Sequence, residues 1–284
     1  MMEPGILYVV ATPIGNLEDI TLRALRMLRE ADLIAAEDTR VTRKLLAHFD
    51  IHTPLTSYHA HTEARKEAGI VASVAAGKRV ALVTDAGMPG ISHPGSELIA
   101  ACLEAGLPVV PVPGPSAALT ALVISGLPTR RFAFEGFLPH AAGERRAHLE
   151  TLRGEERTLI FYESPGRVVA TLEAMQAAWG DRQAAAAREL TKKFEEVVRG
   201  PMSALLEHFQ EQRPQGEFVL VVAGATPGVA APAAEPEVPP EEAVAAAVAA
   251  GSSERDAVRA VATARGLSRR VVYAAWLRRK QEEE

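Results

Sequence analysis

The chain has 284 residues, 48% of them hydrophobic and 24% charged, with a formal net charge of −5. Such a length favours about two domains and such a composition a packed globular protein, and the negative balance excludes a uniformly basic nucleic-acid binder, so any such contact needs a local basic face. No apolar run approaches the ~18 residues that span a membrane, the N-terminus lacks the basic start and apolar region of a signal peptide, and the single cysteine, Cys102, cannot close an intrachain disulfide, so a reducing cytoplasm fits.

In chain order, Ile6–Ala11 is a short buried strand followed by the turn Thr12–Leu17. A helix is expected from about Glu18 to Ala31, with Leu22, Leu25 and Leu28 on one face. Leu33–Ala36 is the next strand and ends in Glu37-Asp38-Thr39-Arg40. Polar clusters at strand carboxyl ends are where α/β sheets present functional groups. The spacing also fits a helix start capped by Asp38 or Thr39, and on spacing alone the cap is favoured. Pro54–Tyr58 is a third strand, with His59 and His61 after it. With no Cys or HExxH pattern in support, the two histidines read as loop polarity, and no metal site is expected. A helix from about Thr62 to Ala76 leads to the apolar strand Arg79–Val83.

The stretch Thr84–Gly95 then carries three glycines and two prolines between that strand and a helix over Ser96–Gly106. Glycine lets a backbone approach a ligand closely and proline holds that backbone stiff. The pattern suits a small polar molecule held mainly by main-chain groups, with Asp85 at the strand's carboxyl end; it also fits an ordinary strand-to-helix turn. Cys102 falls in the helix's apolar pattern and reads as a small core residue. A further strand, Leu107–Val112, ends in another glycine turn, Pro113–Ala118. There Ser116 caps a helix running to about Ser125, or its hydroxyl and the free amides hold a ligand carboxylate. The dinucleotide fingerprint GxGxxG and the Walker GxxxxGK[ST] are both missing, which weakens NAD and ATP binding.

Strands alternating with helices imply a parallel α/β sheet. Beyond a boundary near 114–130 the second half offers strands at 131–137, 158–162, 184–189, 196–199 and 217–223 and helices near 143–153, 167–179 and 201–211. The expected organisation is an N-terminal α/β domain over 1–114 and a C-terminal α/β domain over 115–224. An extended, mobile Ala/Pro-rich linker over 225–240 and a helical tail over 241–284 complete it. The tail shows three helical patterns split by Gly251 and Gly266, with Val244, Val248, Val258, Val261, Val271, Val272 and Trp276 available for a small core. Between Arg255 and Lys280 eight basic residues stand against one acidic, a net +7. That composition fits either a solvated helical cap packed on its neighbour or a small nucleic-acid-binding helical module.

The turns Thr12–Leu17, Glu37–Arg40, Thr84–Gly95 and Pro113–Ala117 occur in order with Phe134–Pro139, Tyr162–Pro165 and Ala187–Lys192. This run resembles the tetrapyrrole-methylase superfamily, and within it the small-subunit (16S) ribosomal RNA (cytidine-2′-O)-methyltransferases, over about residues 5 to 223 and in the helical tail. The chain departs from that pattern at His93, where the family usually has an acid, and at Ala60, Thr62 and Gly166. The resemblance implies a two-domain tetrapyrrole-methylase-like fold with S-adenosylmethionine in the interdomain cleft, a homodimer, and a cytidine 2′-hydroxyl of small-subunit ribosomal RNA, or of the ribosomal subunit, as acceptor. By similarity, Asp85, Ala86, Gly87, Met88 and Ile91 line the donor, Ser116 and Ala117 hold its methionine part, and Tyr162 and Leu190 close the adenosine side.

Methyl transfer is an in-line displacement at a carbon activated by the sulfonium, so positioning supplies much of the rate and no metal is required. A ribose hydroxyl is a weak acid, so a base or an oxyanion-stabilising cation helps. Glu37, Asp38, Glu163 and Glu189 are candidate bases and Arg40, Arg188 and Lys192 candidate cations; for any single one an ion pair or cap within the cleft is the favoured reading, and no base is assigned. A tetrapyrrole ring methyltransferase and a non-enzymatic RNA-binding protein are the alternative readings.

Overall fold

A computed structural model describes residues 5–226, except 61 and 63, and 238–282, except 266. His61 and most of the expected linker, residues 227–237, lie outside the described residues. By contact density the chain forms two compact units: 1–126 with 186–197 and 216–219, and 127–185 with 198–215 and 220–284.

The first unit carries β1 (Ile6–Val10), α1 (Leu22–Glu30), β2 (Leu33–Ala36), α2 (Thr39–His48), β3 (Leu55–Ser57), α3 (Ala64–Ala75), β4 (Arg79–Val83), α4 (Ser96–Glu104), β5 (Val109–Val112) and α5 (Ala117–Ile124). Its five strands pair in parallel in the order β3-β2-β4-β1-β5. A parallel sheet is buried on both faces, which is why β4 reads as a continuous apolar run. Alternate residues supply two separate cores. Ile34, Ala36, Ala81 and Val83 pack with Ala24, Met27 and Leu28 of α1 and Leu46 of α2. Ala35, Val80 and Leu82 pack with Ile70 and Val74 of α3 and Leu98 and Cys102 of α4. Each large aliphatic side chain so buried contributes about 2 kcal/mol.

This layout decides where a ligand can sit. The helices after β1 and β2 cover one face of the sheet, while the helix after β4, the strand between them, covers the other. The crevice at the carboxyl end of β4 is therefore a topological switch point, the place where open α/β sheets bind ligands.

The helix expected from Glu18 is split. A short 3-10 turn at Leu17–Asp19 precedes α1, whose start is capped by the Thr21 side chain accepting from the Ala24 amide. Its buried stripe is Ala24, Met27, Leu28 and Ala31, and Leu22 is 86% exposed, which corrects the expected Leu22–Leu25–Leu28 face. Leucines three apart drift around a helix by about 60° each step, whereas 24, 27, 28 and 31 stay on one side.

The second sheet, in the order β6-β7-β10-β8-β9, is built from β6 (Phe132–Phe137), β7 (Thr158–Glu163), β8 (Gln183–Arg188), β9 (Glu196–Pro201) and β10 (Phe218–Val222). Helices α6 (Ala142–Thr151), α7 (Val168–Trp179) and α8 (Met202–Glu211) lie between its strands in the chain. The pairing of β6 with β7 slips between Phe134 and Gly136. The slip brings Phe134 and Phe137, which would face opposite ways in a regular strand, onto one ring, Tyr162, at 4.9 and 5.6 Å.

The tail folds as α9 (Pro240–Ala249), α10 (Glu254–Arg265) and α11 (Arg269–Glu282) around Val244, Val258, Val261, Val272 and Trp276, with Val248 at the margin. Val271 is 53% exposed and leaves the expected core. Adjacent valines stand about 100° apart on a helix, and only Val272 faces inward. Among the described residues no helix is long and apolar enough to cross a membrane.

Candidate functional site

The glycine turn after β4 is held in place by β1. Thr12 and Gly87 exchange both backbone hydrogen bonds, Thr12 N to Gly87 O at 2.9 Å and Gly87 N to Thr12 O at 3.1 Å. The Thr12 hydroxyl donates to the Thr84 carbonyl at 2.9 Å. Gly87 sits at φ +76°, a backbone that side-chain-bearing residues rarely adopt, so the clasp itself demands glycine. Its polar groups are thus occupied within the protein, and what Gly87 leaves open is close approach. The amides on either side, of Ala86 and Met88, meet no protein acceptor among the described residues. Ile91, exposed, closes the following turn through its amide to the Met88 carbonyl at 3.3 Å.

Asp85 links this turn to the end of β2. Its Oδ1 accepts from the Asp38 amide at 3.1 Å, and its own amide donates to Glu37 Oε2 at 3.2 Å. The same Glu37 oxygen lies 2.9 Å from His93 Nδ1. Burial pushes the Asp85 carboxyl above the ordinary aspartate range, with the Asp38 amide pulling the other way. Glu37, Asp85 and His93 therefore form one network from three separate stretches of sequence. Asp38 stands apart as the cap of α2, accepting from the Arg40 amide at 2.8 Å and from the Arg40 guanidinium. That guanidinium holds the Asp38 carboxyl down to about 2, and the Arg40 side chain is otherwise 84% exposed.

Ser116 caps α5, accepting from the Leu119 amide at 3.5 Å, and Ala117 opens its first turn. Leu190 is buried in the segment 186–197, against the first turn: a Cβ on Gly15 would lie 2.9 Å from the Leu190 carbonyl oxygen. Beside it Lys192 pairs with Glu189 and Glu217, both at 2.9 Å, and Glu189 also accepts from the Glu217 amide at 3.0 Å. Arg188 pairs with Glu196 at 3.1 Å. Tyr162 and Glu163 belong to the other unit. There Glu163 is enclosed: it accepts from the Ser164 amide at 2.8 Å and the Thr171 hydroxyl at 2.6 Å, and lies 3.3 Å from Arg167 Nε. Among the described residues no three His, Cys, Asp or Glu side chains gather as a metal would require. Cys102 is buried in the α4 core.

Sequence reasoning missed one feature. A cavity of about 200 Å³ opens beside Asp85, between the Thr12–Leu17 turn and the first turns of α2, with Thr42 in its wall. The only trace of it in the sequence is the apolar pair Val41 and Leu45 next to a polar strand end.

Comparison with known proteins agrees with this geometry. The family model described as tetrapyrrole (corrin/porphyrin) methylases matches residues 6–206. A Halalkalibacterium halodurans protein named ribosomal RNA small subunit methyltransferase I is 46% identical, covering 95% of this chain and 94% of that one. A Synechocystis protein of the same name is 53% identical over 78% of this chain and 80% of its own. Among solved structures, uroporphyrin-III-C-methyltransferase from Thermus thermophilus superimposes with a TM-score of 0.55 at 24% identity, over 77% of this chain and 94% of that one, which shows the shared fold. The chain belongs to the tetrapyrrole (corrin/porphyrin) methylase family, among the relatives of ribosomal RNA small subunit methyltransferase I.

Proposed function

We propose that the protein transfers a methyl group from S-adenosylmethionine to the ribose 2′-hydroxyl of a cytidine in small-subunit (16S) ribosomal RNA. The relatives' shared name supports the RNA substrate. The observation that carries the reading is the clasped turn at the switch point, with two amides lacking protein acceptors beside a part-buried carboxylate.

The residues fit the donor. The amides of Ala86 and Met88 and the first-turn amides of α5 around Ser116 and Ala117 are donors for its carboxylate or base, and Asp85 is an acceptor for its hydroxyls or ammonium. Gly87 admits it closely, and Ile91, Tyr162 and Leu190 supply apolar cover. When bound, the donor presents a methyl carbon already made electrophilic by its sulfonium, so the chemistry asks for no metal. The chain's work is to align the hydroxyl and take its proton. Glu37 already lies against His93 Nδ1, and Glu189, Arg188, Lys192 and Arg40 are already ion-paired, so a part in that step or in RNA contact means exchanging a protein partner for the substrate. Arg40, exposed, is placed to meet an RNA phosphate.

The domain division expected from the sequence, 1–114 and 115–224 with a linked tail, belongs to the same proposal, with the tail as an RNA contact. Arg255, Arg269, Arg270 and Arg278 are exposed there, and Arg269 and Arg270 open α11, where a helix dipole disfavours cations and phosphate contact compensates. A homodimer, which the family resemblance implies, belongs to the proposal too, and α5 presents Leu119 and Val123 to solvent. A cytoplasmic location follows from the substrate.

Calorimetry with S-adenosylmethionine separates an enzyme from a mere RNA binder: saturable one-site binding is expected. Primer extension on ribosomal RNA from a strain lacking the gene is expected to lose one 2′-O-methylation stop at a cytidine. An unchanged pattern of stops refutes the reading. Deleting 241–284 is expected to weaken subunit binding and lower the slope of log affinity against log salt by roughly one per lost phosphate contact, with donor affinity kept.

A further inference from the structure

The glycine turn after β4 also carries a histidine. His93 is part-exposed there, with Nδ1 at 2.9 Å from Glu37 Oε2. That oxygen also accepts from the Asp85 amide at 3.2 Å, so Glu37 meets its neighbours as an acceptor. A carboxylate has no proton to give. The proton of the His93 hydrogen bond is therefore on Nδ1, and the neutral ring keeps its lone pair on Nε2. Among the described residues Nε2 has no partner. Glu37 thus fixes the tautomer and the orientation of the ring, and it steadies the positive charge that arises when Nε2 takes a proton. The acid of a serine-protease triad stands in the same relation to its histidine.

The acidic groups at the strand ends are less free to act. Asp38 is held down to about 2 by the Arg40 guanidinium. Glu163 is enclosed by the Ser164 amide, the Thr171 hydroxyl and Arg167, and Glu189 is paired with Lys192. Asp85 gives Oδ1 to the Asp38 amide and, on the proposed function, serves the donor. Imidazole also suits the task by its chemistry. Its ordinary value of about 6.5 lies closer to a ribose hydroxyl than the ~4 of a carboxylate, so it is the stronger base that is still largely unprotonated at neutral pH.

We infer that His93 is the general base of the methyl transfer and that Glu37 is its positioning residue. The inference rests on the RNA-methylation reading for the identity of the hydroxyl. Nε2 takes the 2′-hydroxyl proton while a lone pair of that oxygen forms the bond to the methyl carbon. The carbon–sulfur bonding pair returns to sulfur, which leaves a neutral thioether. The imidazolium, paired with Glu37, then gives its proton to water.

Glu37, at the end of β2, and Asp85, at the end of β4, are the acidic groups that act on the ring among the described residues, so its titration is measured directly. Nitrogen-15 NMR of the full chain with labelled histidine is expected to show Nδ1 protonated and Nε2 bare in the neutral ring, and to give the pH at which Nε2 titrates. The single-turnover rate, at saturating S-adenosylmethionine and small-subunit ribosomal RNA, is expected to rise in proportion to the bare ring and then level. In His93→Asn the side-chain amide stands where Nδ1 does and keeps the bond to Glu37, but no basic atom remains. That variant is expected to lose about 10²–10⁴-fold in rate and to lose the rise with pH, with thermal stability and donor affinity kept. In His93→Ala, added imidazoles are expected to restore rate, the more basic ones further. A neutral ring bare at Nδ1 overturns the inference with no turnover measured. So does a rise with pH that persists in His93→Asn, and so does a His93→Asn chain that loses stability and donor affinity in step with rate, which would make the histidine structural. A wild-type chain that methylates no RNA faults the proposed function, whereas methylation that keeps its rate in His93→Asn faults the base alone.

Discussion

At the end of β7, Glu163 has a side chain 1% exposed, with the Ser164 amide, the Thr171 hydroxyl and the Arg167 guanidinium around it. At the end of β4, Asp85 has one oxygen engaged and the other open, next to two amides without protein acceptors and a threonine hydroxyl without a partner. Both are acidic residues just past or at the end of a buried strand, and in sequence they look alike. The difference lies in whether the neighbours have already satisfied the group. A saturated carboxylate fixes structure, and a half-satisfied one at a switch point is available to a ligand.

The sharpest way to break this contrast is Glu163→Ala. It takes the carboxylate from Arg167, which keeps only the Leu138 and Pro139 carbonyls, and leaves the Thr171 hydroxyl without its acceptor, and it is expected to cost about 3 kcal/mol in denaturant unfolding, with donor affinity of the folded fraction unchanged. A loss of donor affinity with stability kept would place Glu163 in the site. Gly87→Ala comes next. Its Cβ would meet nothing closer than Ile14 Cγ2 at 3.7 Å, so the penalty is the +76° φ, about 1 kcal/mol in stability. On our reading donor affinity falls by more than that penalty explains; an equal loss would make the turn purely structural.

The smallest effect is expected at Glu189. Burial alone would raise its carboxyl, but the Lys192 ammonium and Glu217 amide outweigh this and hold it below the ordinary glutamate range. Its contribution is complete above that range and lost as pH falls through it to the lower folded value. Glu189→Gln should cost less than about 1 kcal/mol at neutral pH and flatten the decline of stability as pH falls through and below the ordinary glutamate range. An undiminished acid dependence would show that the pair contributes nothing.

Local signals carried the strands, the glycine turns and the caps. The apolar run into Thr84, the Asp38 cap and the Ser116 cap could all be read from the sequence because their partners lie within a few residues. What could not be read depends on distant partners. Leu22 and Val271 are apolar but face outward because neighbouring positions match the helix phase better. The clasp between Thr12 and Gly87 spans the gap from β1 to β4, and nothing near Thr12 announces it. Thr42 is one polar residue in an amphipathic helix, and only the packing of the Thr12–Leu17 turn against α2 turns it into the wall of a cavity. The candidate bases and cations stand at or near polar strand ends in the sequence, and their ion pairs emerge only from the fold.

The most direct test of the whole account is to incubate the full chain with S-adenosylmethionine and small-subunit ribosomal RNA lacking the modification, both as free RNA and in the assembled subunit. The RNA is then digested to nucleosides and analysed by mass spectrometry. The account predicts one new product, 2′-O-methylcytidine, in one equivalent per RNA. A nucleoside methylated on its base, a methylated nucleoside other than cytidine, or no methylated product from either substrate would contradict it.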